Sequence, residues 1–81
     1  MKFTRIIHGH KVRFTLADCV IIAEYSQEER AFLPFYYVKG FNNRIEANDF
    51  FISLKNRGTD ISYTLNREFE TVNHDDSPSA Y

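Results

Sequence analysis

Apolar and polar residues alternate from the start of the chain. Lys2-Phe3-Thr4-Arg5-Ile6-Ile7 reads as a strand. Residues 11–16 alternate cleanly, with Val12, Phe14 and Leu16 on one face and Lys11, Arg13 and Thr15 on the other. Between them His8-Gly9-His10 supplies a turn, because Gly9 adopts positive φ without a steric cost. The two segments predict a hairpin with one face buried.

The next stretch fits two patterns. Thr15 followed by Asp18 can open a helix, with Leu16, Cys19, Val20 and Ala23 on one face. The β-branched run Val20-Ile21-Ile22 favours strand. Polar Ser26-Gln27-Glu28-Glu29-Arg30 fits a hairpin loop, and the aromatic-rich stretch from Ala31 to Val38 is again strand-like. Strand–loop–strand over residues 19–38 is the favoured reading. Pro34 has no amide hydrogen, which assigns its part of the strand to a sheet edge or a bulge.

A helix is predicted over residues 44–57. Asn43 can cap it, with Glu46 in the first turn, and Ala47, Phe50, Phe51 and Leu54 recur at helical spacing. Lys55 and Arg57 suit the negative end of the dipole, and Gly58 can form a left-handed cap. Ile61, Tyr63 and Leu65 alternate with Ser62 and Thr64, so residues 60–67 are read as a strand, which Phe69 can extend inward. From Thr71 the chain carries too little apolar surface to be held down.

The expected order is ββββαβ, or ββαβαβ if Thr15 opens a helix. Either gives an α+β fold, a small antiparallel-rich sheet of four to five strands with one main helix on one face. Residues 1–70 form the single domain and residues 71–81 a flexible acidic tail. One helix leaves the opposite sheet face open, and that face is the expected binding surface.

Composition supports a folded domain. Of the 81 residues, 43% are hydrophobic, with 8 Phe, 5 Tyr and no Trp. Large rings bring much apolar area per residue to a small core. The single cysteine, Cys19, cannot form an internal disulfide. The longest apolar run, Cys19 to Ala23, is far too short to cross a bilayer, so no membrane partner and a cytoplasmic location are expected.

The net charge of −1 is unevenly placed. Residues 1–17 hold Lys2, Arg5, Lys11 and Arg13 and no acid, whereas residues 68–81 hold Glu68, Glu70, Asp75 and Asp76 and no Lys or Arg. The four cations form a candidate basic face for an acidic or nucleic-acid partner. A pair of solvated surfaces is the favoured reading, and the basic face is the sharper alternative.

Candidate chemistry is sparse. His8 and His10 have the spacing of two ligands on one strand face, but no third ligand lies nearby, and turn histidines are the favoured reading. His74, Asp75 and Asp76 fall in the expected tail. Cys19 heads an apolar run and reads as a buried structural thiol; acting as a nucleophile it needs His8 or His10 beside it. The adjacent pairs Glu28-Glu29 and Asp75-Asp76 read as solvated surface. The glycines stand singly, outside any phosphate-loop pattern. No enzyme, metal site or cofactor is expected.

Residues 36–44 are the most suggestive stretch. Tyr36, Tyr37, Lys39, Phe41 and Arg44 interleave aromatic and basic side chains, as do surfaces that anchor protein partners or stack bases, although core and sheet surface is the plainer reading of these aromatics. Lys39-Gly40-Phe41 resembles the first three positions of the main RNA-recognition-motif signature, after which Asn42-Asn43-Arg44 departs from it. The strand–Gly–Phe–helix–Gly–strand layout over about residues 35–65 is similar to half of a peptidoglycan-binding SPOR-type domain. In size and in Phe, Ile and Asn content, the chain also resembles small phage and mobile-element proteins that block host defence enzymes, of the anti-CRISPR kind. A non-catalytic inhibitor or adaptor that docks on a larger protein is the expected function. The alternative is a nucleic-acid-binding module using Lys2, Arg5, Lys11, Arg13 and the 36–44 segment. A homodimer through an open sheet edge is a further expectation.

Overall fold

The computed structural model describes residues 1–29, 33–57 and 60–73. Its elements run β1 (Lys2–Ile7), β2 (His10–Ala17), β3 (Val20–Tyr25), β4 (Phe35–Gly40), α1 (Arg44–Lys55), α2 (Ile61–Glu68) and β5 (Glu70–Asn73). The strands form one five-stranded sheet in the order β1-β2-β3-β4-β5. Every neighbouring pair is antiparallel. The α+β architecture read from the sequence is the one observed.

Register follows from the turns and the pleat. His8 (φ 51) and Gly9 (φ 82) are both left-handed, as a two-residue primed hairpin turn requires, and they align Ile7 with His10. Asp18 (φ 58) opens the β2–β3 turn, with Ala17 paired to Val20. Thr15 and Leu16 therefore lie in β2, and the alternative helix is absent.

The inner sheet face carries two aligned rows, Phe3–Phe14–Ala23–Tyr37 and Arg5–Val12–Tyr25, and the Tyr25 ring meets that of Phe35 edge-on at 5.5 Å. Phe3 stacks on Phe14 at 4.6 Å and meets Phe51 of α1 edge-on at 5.1 Å. Ala47, Phe51 and Leu54 of α1, with Ile61, Thr64 and Leu65 of α2, close the core over this face. Burying a side chain such as Phe14 or Phe51 contributes about 2–3 kcal/mol. The Asn43 side chain accepts from the Glu46 amide at 2.9 Å, so the predicted N-cap is present.

The structure corrects the reading in several places. The stretch read as a strand over residues 60–67 is instead helix α2, Ile61–Glu68, with Asp60 as its N-cap. Ile61, Thr64 and Leu65 are buried at helical spacing, while Tyr63, assigned to the inner set by alternation, is 62% exposed. The last strand is instead β5, where Thr71, Val72 and Asn73 pair with β4, so the tail cannot begin at Thr71. The sheet is roofed by two helices, not one. α1 ends at Lys55, with Asn56 as its cap, so Arg57 lies beyond it. Pro34 sits just ahead of β4, an interior strand, and escapes the ladder by preceding it. The expectations for Arg30, Ala31, Gly58 and His74 to Tyr81 fall outside the described residues.

Candidate binding face

Strand alternation sends every second side chain to the side away from the helices. Register aligns these into two rows across the whole sheet, Lys2–Thr15–Ile22–Val38–Glu70 and Thr4–Arg13–Glu24–Tyr36–Val72. A shorter row holds Ala17–Val20–Gly40, and another pairs Ile6 with Lys11. Among the described residues both helices pack on the inner face, and Ser26 and Gln27 of the β3–β4 loop border the outer face beside Thr4, Lys11 and Arg13. Its centre is an apolar ridge of half-buried Val20, Ile22, Val38, Val72 and Tyr36. Ile6 at the β1 side remains 65% exposed.

The charges on this face are segregated. Lys2, Lys11 and Arg13 lie on β1 and β2, Glu24 on the central strand and Glu70 on β5. Arg13 reaches Glu24 at 3.7 Å. Lys2, Lys11 and Glu70 have no ion-pair partner among the described residues. A shallow hollow of about 430 Å³ lies among Thr4, Lys11, Arg13, Tyr25, Ser26 and Gln27. A second, of about 280 Å³, lies at the β4–β5 side among Val20, Val38, Lys39, Gly40, Glu68 and Glu70.

The sequence-predicted anchors do not share one surface. Tyr36 stands on the outer face. Tyr37 faces the core, its hydroxyl 3.3 Å from that of Tyr25. Burial and this hydrogen bond push the Tyr25 phenol pKa up, and nearby Glu29 adds to the effect. Lys39 points to the helix side, its ammonium 5.3 Å and 5.6 Å from the ring centres of Phe41 and Phe50. Phe41 packs on Phe50 at 5.2 Å. Arg44 is exposed at the start of α1, with its Nε 3.4 Å from Asp18. Only Tyr36 of the five belongs to the open face.

The basic set divides as well. Lys2, Lys11 and Arg13 share the outer face, but Arg5 belongs to the inner one. Its guanidinium lies 4.9 Å over Phe3 and donates to the Lys55 carbonyl at the end of α1. There it compensates the free carbonyls and negative end of the helix. The outer-face residues missed in the sequence are Val20, Ile22, Val38, Glu70 and Val72. The unbroken run Val20-Ile21-Ile22 was their one signal, since a strand apolar on both sides must show one side outward.

The polar side chains expected to be inert have the following places. Cys19 is half-exposed in the β2–β3 turn, not buried. The histidine turn lies at the other end of β2, an eight-residue strand roughly 23 Å long, so no Cys–His pair forms. His10 Nδ1 lies 3.0 Å from Glu29 Oε1. His8 Nε2 lies 2.9 Å from Ser62 Oγ, but His8 is exposed and no described residue bonds its other ring nitrogen. Among the described residues, no three of His, Cys, Asp and Glu cluster as metal ligands. No helix there is long and apolar enough to cross a membrane.

Fold and face together define a small α+β domain whose antiparallel sheet is, among the described residues, roofed by helices on one side only. No family model, curated protein or solved structure matches the chain.

Proposed function

We propose that this protein is a non-catalytic binding protein, an inhibitor or adaptor that docks on a larger protein through the outer face of its sheet. The observation that carries this reading is the half-buried apolar ridge of Val20, Ile22, Val38, Val72 and Tyr36 on the side of the sheet away from the helices, flanked by Lys2 and Lys11, which have no ion-pair partner among the described residues. Contiguous apolar surface with a charged margin is the usual composition of a docking site. The complementary partner surface is apolar at its centre and acidic where it meets β1 and β2. Inhibition of a host defence enzyme by a phage or mobile-element protein is the specific form proposed, and a panel of such enzymes assayed with and without the protein tests it.

Affinity capture with matched variants tests the docking itself. Val38→Lys places a charge at the centre of the ridge, whereas Ile52→Lys alters an exposed position on α1. Val38→Lys should weaken capture by about tenfold or more, and Ile52→Lys should leave it unchanged. Retention of the partner at full strength by Val38→Lys contradicts the reading.

Lys2, Lys11 and Arg13 on the same sheet face as Tyr36 favour nucleic acid as the second reading. Three phosphate contacts predict affinity that falls with salt at a log–log slope of about −2.7 on duplex DNA. Binding that is flat in salt rejects it.

A further inference from the structure

We propose that the outer sheet face also closes on a second copy of this chain, about a two-fold axis that runs parallel to the strands over β3. Such an axis preserves the level of each residue along the strands and reverses the strand order. β1 of one copy then lies over β5 of the other.

The register makes this arrangement self-complementary. Lys2 and Glu70 occupy the two ends of one row, so each Lys2 meets the Glu70 of the other copy, twice per dimer. Neither has an ion-pair partner among the described residues of its own chain. Ile22, at the middle of that row, meets its own equivalent at the axis, and Thr15 meets Val38. In the next row Arg13 lies over Tyr36, a cation–aromatic contact, and Thr4 over Val72. The one like-charge opposition, Glu24 against Glu24, is relieved because Arg13 stands 3.7 Å from Glu24 within each chain.

The dimensions agree. Facing sheets pack about 10 Å apart, a gap that an extended Lys and Glu together span. Five strands at about 4.8 Å spacing and about 20 Å length give a face of roughly 500 Å², and two faces bury about 1,000 Å². That is the low end for a specific interface, so dissociation on the order of micromolar is expected. The geometry does not depend on the docking reading, and a monomer overturns it while leaving that reading intact.

Sedimentation of the full chain from about 1 μM to about 1 mM tests the proposal. The wild type should pass from monomer to dimer. Lys2→Glu and Glu70→Lys, both at exposed positions, should each weaken the dimer about tenfold or more. The double variant K2E/E70K should regain it, because the two charges exchange places across the axis. Ile22→Arg, with folding checked by circular dichroism, should abolish it. A monomer throughout overturns the proposal. So does a dimer indifferent to Glu70→Lys, as pairing through the β1 edge would be, or a double variant that is not rescued.

Discussion

Tyr36 and Tyr37 are consecutive in β4 and stand on opposite sides of the sheet. Tyr37 is 9% exposed in the core, while Tyr36 sits between Glu24 and Val72 on the open face. Truncating them should therefore have opposite consequences. Tyr37→Ala should cost about 3–5 kcal/mol in urea unfolding, a large share of the stability of a domain this small. Tyr36→Ala should cost under about 1 kcal/mol and weaken binding instead.

Arg5 and Lys2 give a second contrast within β1. Arg5→Ala removes the donor to the Lys55 carbonyl and the cation over Phe3, and should destabilise by about 1–2 kcal/mol. Lys2→Ala should stay within about 0.5 kcal/mol. Paired urea titrations check both values.

The β1–β2 turn makes a prediction about backbone alone. A Cβ at Gly9 meets no atom within 4 Å, so replacement causes no clash, but φ of +82 disfavours L residues. Gly9→Val should cost about 1–2 kcal/mol, and Gly9→Asn less, because Asn tolerates the left-handed region. Equal midpoints for the two variants in thermal unfolding would contradict the turn geometry.

The half-buried phenol of Tyr25 predicts alkaline sensitivity. Its folded pKa is raised above the ordinary 10.0, so the folded state holds this proton more tightly than the unfolded chain. The associated stability is full below pH 10.0 and falls as pH rises beyond it toward the folded value. Tyr25→Phe should flatten the stability profile above that pH. A profile of unchanged steepness would remove Tyr25 as its source.

Several features were legible in the sequence for physical reasons. Val12, Phe14 and Leu16 alternate over a full strand, and a glycine turn precedes them. Asn43 and Glu46 mark the start of α1, where Ala47, Phe51 and Leu54 keep one buried stripe. Helix α2 was not legible because Ile61, Tyr63 and Leu65 satisfy a period of two while Ile61, Thr64 and Leu65 satisfy a helical one. Eight residues are too few to separate the two patterns, and packing on the sheet decides it. Strand β5 carries one apolar residue, Val72, so pairing with β4 rather than propensity defines it.

The candidate site was legible only in outline. An uncovered face follows from too few helices for the sheet. Which of two adjacent tyrosines occupies it depends on the pleat, and a shift of one residue exchanges every side chain between faces. Arg5 resembled its basic neighbours Lys2, Lys11 and Arg13, but alternation placed it against the end of α1.

The most direct measurement is site-specific photo-crosslinking in extracts that contain the target. A photoreactive aromatic residue replaces Tyr36 on the outer sheet face in one sample and exposed Tyr63 of α2 in the other. Adducts to a larger protein from position 36, and none from position 63, are the predicted result. Adducts from position 63 alone would contradict the assignment of the outer face as the docking surface.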